Sequence, residues 1–235
     1  DAWIETMRNL AAQGMAVICY NFMPVVDWTR TDIRYPTHRG GLALRFDPLE
    51  FAVYDLFVLR RTGAEADYDD AIIERAKAHH ASMDDAAIQR LESTIIAGLP
   101  GSELSHGREG IRAAITEYDG LTLQDLRANL IRFLEKVAPA AEECGARVCL
   151  HPDDPPFSIF GLPRVVSTGA DYQAVFDAVP SSANGITLCA GSLGSRPDND
   201  VIEIARSLAT RIHFTHLRNV TIEDSGAFLE DDHLE

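Results

Sequence analysis

Between residues 147 and 217 the sequence repeats one rhythm. Arg147-Val148-Cys149-Leu150-His151, residues 185–189 and residues 211–217 are short, mostly apolar runs of strand length, and residues 171–179 and 200–210 between them carry helical spacing. Strands joined through helices cannot be a hairpin, because a helical crossover returns the chain to run parallel to the strand before it. Here the expectation is a sheet of βαβ units whose strands end on the same side.

Upstream, residues 2–13 place Ile4, Met7, Leu10 and Ala11 at helical spacing, with Gly14 where the helix stops. Met15-Ala16-Val17-Ile18-Cys19-Tyr20 follows as a fourth buried strand that breaks at Asn21-Phe22-Met23-Pro24. Residues 24–47, dense in Arg, Asp, Thr, Pro and Gly, read as one long loop, a length that usually carries function. A helical section runs from Pro48 to about Gly98, with helices over 68–82 and 84–97, and closes on Leu99-Pro100-Gly101-Ser102. Thr122 then caps a helix through Leu126, Leu130, Phe133, Leu134 and Val137 to Gly145.

Four strands are half of an eight-stranded barrel, and the 235 residues fall just under the roughly 250 such a fold takes. The expectation is α/β, a (β/α)8 TIM-type barrel incomplete at both ends, with residues 1–235 forming a single partial barrel domain. Its first helix has no strand before it, and no helix follows the acidic segment Glu230-Asp231-Asp232-His233.

His151, Cys189 and His216 stand at or beside the last residue of three successive strands, separated by 38 and 27 positions. One barrel repeat takes about 30 residues, so these side chains meet on neighbouring strand ends, the face where barrel enzymes keep their active sites. Alternation puts His216 on one face with Phe214 and Ile212 and turns His213 the other way. Two imidazoles and a thiolate with a vacant position would by themselves suggest zinc, although ligand type alone leaves the ion open. Glycines in the stretch Gly191 to Asp200 suit close approach to a ligand, and Arg196 and Arg218 suit a carboxylate. His79 and His80 read as solvated, while His106 in a Gly-rich loop and Cys144 near a helix end carry no chemistry.

The excess of 36 acidic over 21 basic residues, a net charge of −15, excludes nucleic acid and anionic membrane surfaces as partners. A chain with no apolar run long enough to span a bilayer, no secretory leader and four scattered cysteines reads as cytoplasmic, with reduced thiols.

Four stretches resemble the mannonate dehydratase family: Cys19 through Asp32; His151-Pro152-Asp153-Asp154-Pro155-Pro156 with Phe160-Gly161-Leu162-Pro163-Arg164; Gly191-Ser192-Leu193-Gly194 with Arg196-Pro197-Asp198-Asn199-Asp200; and His213 through Val220. They span nearly the whole chain in family order. The resemblance implies a metal-dependent hydro-lyase that converts D-mannonate to 2-keto-3-deoxy-D-gluconate and water. It implies Mn²⁺, with Fe²⁺ or another divalent ion as alternatives, held by His151, Cys189, His216 and a carboxylate. The family's acid/base His and Tyr are expected after Glu235, so no catalytic residue is assigned within the chain. Arg218, Asn219, Arg196 and Asn21 are the expected substrate-positioning groups. Asp153 is a weaker candidate, and Trp28 belongs to a segment 28–41 that resembles a mobile active-site loop and equally suits an oligomer contact. Assembly as a homodimer or tetramer is also implied. The competing expectations are a sugar isomerase or epimerase of the same barrel superfamily, disfavoured by the lack of Glu at these strand ends, and an inactive fragment of the dehydratase.

Overall fold

A computed structural model describes residues 1–97 and 107–232; the expected boundary at Leu99-Pro100-Gly101-Ser102, His106 and His233 lie outside the described residues. Among the described residues eight strands are formed: β1 Val17–Tyr20, β2 Asp32–Pro36, β3 Leu42–Phe46, β4 Arg147–Leu150, β5 Asn184–Cys189, β6 Ile212–His216, β7 Val220–Ile222 and β8 Phe228–Glu230. They make two separate four-stranded sheets, one in each of two compact units.

The first unit comprises Asp1–Met23, Leu121–Phe157 and Pro163–Arg218. Its sheet has the order β1-β4-β5-β6, and every pair is parallel. This is the strand, helix, strand rhythm of the sequence realised as half the strand complement of a TIM-type barrel. Helix Leu123–Cys144 is the crossover into β4, and it forms for legible reasons. Thr122 and Asp125 close a reciprocal capping box at its start, and Gly145 with φ +70° ends it. Leu126, Leu130, Leu134, Val137 and Ala141 recur along one side and are buried with Val148, Leu150, Ile186 and Leu188 of the sheet. Helix Gly169–Ala178 adds Tyr172, Val175 and Phe176 to the same core, after a second capping box between Thr168 and Asp171. Trp3 of helix Ala2–Ala12 meets Phe133 edge-on at 5.1 Å and Tyr20 at 5.9 Å.

The second unit comprises Pro24–Gly120, Ser158–Leu162 and Asn219–Glu235. It corrects the expectation of one long loop over 24–47. Asp32–Pro36 and Leu42–Phe46 form a hairpin closed by Thr37 N–H to Gly41 O at 2.9 Å, and the sheet continues antiparallel as β2-β3-β8-β7. Arg30, only 1% exposed, packs between the rings of Trp28 (5.5 Å) and Phe228 (5.1 Å). Arg45 binds Asp47 and Glu223. His79 and His80 are not simply solvated: His79 bonds Glu50 at 2.7 Å and His80 stacks on Phe57. Among the described residues no helix is long and apolar enough to cross a membrane.

Candidate metal centre

β4, β5 and β6 lie side by side, and in register Cys189 pairs with His216. The ends of these parallel strands therefore bring His151, Cys189 and His216 together, with one ligand atom from each within 4.8 Å of the others. His213, on the opposite alternation, instead faces Ser182 O at 3.0 Å.

The donors suit a divalent ion. His151 Nδ1 lies 2.8 Å from Pro152 O, and since a carbonyl only accepts, Nδ1 carries the hydrogen and Nε2 is left with the lone pair for a metal. Cys189 Sγ lies 3.5 Å from His216 Nδ1 and receives two hydrogen bonds from Ser192, from N–H at 3.4 Å and from the hydroxyl at 3.2 Å. Burial pushes the Cys189 thiol up, but its bond to His151 and the Ser192 donors outweigh this and hold it below the usual thiol value. Burial likewise presses the His151 imidazole down, and the Cys189 sulfur overcomes it, so its pKa ends raised. The cysteine is thus predisposed to the thiolate that a metal requires.

Behind the sulfur runs a second chain of polar contacts. Asp154 Oδ2 accepts from Arg218 Nη2 at 2.7 Å and lies 3.1 Å from Ser192 Oγ, whose single hydrogen is shared with the Cys189 sulfur, and Arg218 Nη2 donates to Ser192 Oγ at 3.2 Å. Gly191 makes this possible: a Cβ there would stand 2.2 Å from Arg218 Nε. Residues Ala190–Gly194 form a short helix directly after β5, so the glycine at 191 admits a guanidinium rather than serving an open ligand loop. Sequence reasoning gave Asp154 and Ser192 no role. Their signal was present in the adjoining pair Asp153-Asp154, whose side chains take different partners.

Asp153 is fully buried and staples a loop, accepting from Val166 N–H at 2.7 Å and Ser167 Oγ at 2.9 Å. Burial raises its carboxyl to about 6, against the opposing pull of Arg164, Ser167 and Val166. An acid with a raised folded-state pKa binds its proton more tightly when folded. It stabilises most below its ordinary value of 3.8, and that contribution is lost as pH rises through about 6. Urea unfolding of wild type and Asp153→Asn at pH 4.5 and 7 should therefore show the wild type losing about 2 kcal/mol relative to the variant, because each tenfold change in proton affinity is worth ~1.4 kcal/mol. Equal gaps at the two pH values would contradict the assignment.

Arg196 is held by Asp198 and by Pro156 O at 3.0 Å. Asn21 is exposed one residue beyond β1. Asn219 and Trp28 belong to the second unit, where the Asn219 amide donates to Asp232 O and Trp28 stacks with Arg30.

A family model described as D-mannonate dehydratase matches residues 1–235. Mannonate dehydratase 2 of Agrobacterium fabrum is 51% identical over 233 residues, covering 99% of this chain and 59% of that protein. The mannonate dehydratase of Saccharophagus degradans is 49% identical, covering 98% and 58%. The crystal structure of mannonate dehydratase from Streptococcus suis serotype 2 superposes with a TM-score of 0.71 at 33% identity, over 99% of this chain and 53% of that one. The chain thus spans about three-fifths of the length of these curated relatives.

Proposed function

This chain belongs to the D-mannonate dehydratase family, and from that premise we propose that the protein carrying it converts D-mannonate to 2-keto-3-deoxy-D-gluconate and water, with Mn²⁺ held by His151, Cys189 and His216. The observation that carries the reading is the convergence of an imidazole, a thiol and a second imidazole at adjacent strand ends in a chain of this family.

The reaction removes the weakly acidic C2 proton beside the carboxylate and expels the C3 hydroxyl, which leaves with a proton as water; the resulting enol ketonises. A divalent ion at the three ligands would supply Lewis-acid stabilisation of negative charge developing on substrate oxygens. The chain's own share is to hold and orient. Ser192 directs two donors at the Cys189 sulfur, and Asp154 with Arg218 fixes Ser192. Arg218, Arg196 and Asn21 of the first unit are the groups we assign to the substrate's carboxylate and hydroxyls; for Asn219 and Trp28 the assignment rests on the family resemblance alone. Support is strongest for Arg218, two residues beyond His216 and already positioned by Asp154. The protein's setting on this reading is a cytoplasmic homo-oligomer, in keeping with four free cysteines.

The test is release of a 2-keto-3-deoxy acid from D-mannonate by the full-length protein, before and after chelation and Mn²⁺ readdition. Turnover lost with the metal and restored by it is expected; turnover unaffected by chelation, or none with any divalent ion, would overturn the proposal.

A further inference from the structure

The Ser192 hydroxyl has one hydrogen and two acceptors within reach, Cys189 Sγ at 3.2 Å and Asp154 Oδ2 at 3.1 Å. The distances decide between them. A hydroxyl bound to a carboxylate closes to about 2.5–2.7 Å, so 3.1 Å is long for that pair, whereas 3.2 Å suits the larger sulfur atom. Arg218 Nη2 lies 2.7 Å from the same carboxylate oxygen, the length of a full charge-assisted bond, and directs its second hydrogen to Ser192 Oγ at 3.2 Å. The guanidinium therefore satisfies Oδ2 and leaves the hydroxyl hydrogen to the sulfur.

All four residues belong to the first unit, and the arrangement is buried and tightly built. Ser192 is inaccessible to solvent and Asp154 is 4% exposed, so the charges act through little screening. A Cβ at Gly191 would meet Arg218 Nη2 at 3.0 Å as well as Nε, so the guanidinium sits here only because residue 191 carries no side chain.

We propose that Arg218 is a positioning residue for the metal-binding sulfur, acting through Ser192: by holding Asp154 it keeps the hydroxyl hydrogen on Cys189. The inference deepens the metal site proposed above and rests on it. A thiolate passes much of its charge to a bound ion and weakens it as a Lewis acid, and a hydrogen bond at the sulfur draws part of that charge back. Without the guanidinium the buried carboxylate becomes the stronger acceptor. The hydrogen then turns from Sγ to Oδ2, and the sulfur is left a richer donor to the ion.

Full-length protein loaded with Co²⁺ reads the sulfur through its charge-transfer band, with no turnover involved. A hydrogen bond lowers the energy of the sulfur lone pairs, so its loss moves the band to longer wavelength. Arg218→Met should shift the band about as far as Ser192→Ala does, and adding Asp154→Asn to Arg218→Met should return it to the wild-type position, because a neutral amide does not outcompete a thiolate for the hydrogen. A purely structural role for Arg218 gives the opposite order, with the double variant displaced at least as far as the single one. If Arg218→Met does not fold, Gly191→Ala displaces the guanidinium while keeping its charge, and should shift the band the same way. The proposal fails if the band stays in place without the guanidinium, if Asp154→Asn does not restore it, or if Arg218→Met shifts it equally when Ser192 is already alanine. A wild type with no sulfur-to-cobalt band is a separate result: it removes the metal reading itself, and this inference with it.

Discussion

Replacing His151 by alanine should weaken divalent-ion binding at least a hundredfold, a loss of about 3 kcal/mol or more. Its imidazole is one of three donors, and its Nδ1 is already committed to Pro152 O, so no other side chain inherits the orientation that aims Nε2 at the ion. Cobalt titration reads this directly, because a thiolate bound to Co²⁺ gives a charge-transfer absorption independent of turnover. The wild type should show the band from Cys189, and the variant should require far more cobalt to reach it. Ser192→Ala provides the graded comparison: with the sulfur kept and its hydroxyl donor gone, a roughly tenfold loss is expected from the usual range for outer hydrogen-bond partners. Equal affinity in His151→Ala and wild type would remove His151 from the site.

Gly185→Ala should destabilise the fold by about 3 kcal/mol through overpacking, read as a shift of the urea midpoint. A Cβ at this position on β5 would stand 2.1 Å from His213 Cδ2 and 2.5 Å from Arg211 O. The imidazole can turn away only by giving up its contact with Ser182 O, and the Arg211 carbonyl is backbone and cannot turn at all. The strain falls between β5 and β6, the strands that carry Cys189 and His216, so the cobalt band should weaken together with stability. A stability within about 0.5 kcal/mol of wild type, the size of an ordinary surface change, would show that the strands part freely there.

The parallel half of the fold was readable because its information is local. The runs at 147–151, 185–189 and 211–217 are apolar over strand length, and Thr122 with Asp125 announces the crossover helix before any packing is considered. The antiparallel sheet was hidden because its reasons lie far apart in sequence. Leu42–Phe46 pairs with Phe228–Glu230, and Arg45 is neutralised by Glu223, 178 residues away. Read alone, Arg45 and its neighbours look like a solvated loop. The candidate ligands were legible through their common place at strand ends, whereas Asp154 and Ser192 gained meaning only when the strands set them beside Arg218 and the Cys189 sulfur. Asp153 was hard to place for a related reason: it lies close to a candidate ligand histidine, while its Oδ2 takes Val166 and Ser167 from a loop distant in sequence.

The pairing of Val17 with Arg147 separates by 130 residues the two sides of the first ladder in the parallel sheet. At a ribosomal pace of about 5–20 residues per second, β1 is made some 6 to 26 seconds before its partner strand exists. Throughout that interval an apolar segment, Met15-Ala16-Val17-Ile18-Cys19-Tyr20, lacks its β4 partner while the antiparallel strands β2 and β3 emerge behind it. Biosynthesis therefore favours early closure of the local hairpin and late closure of the sheet that bears the metal ligands, an order set by the topology itself.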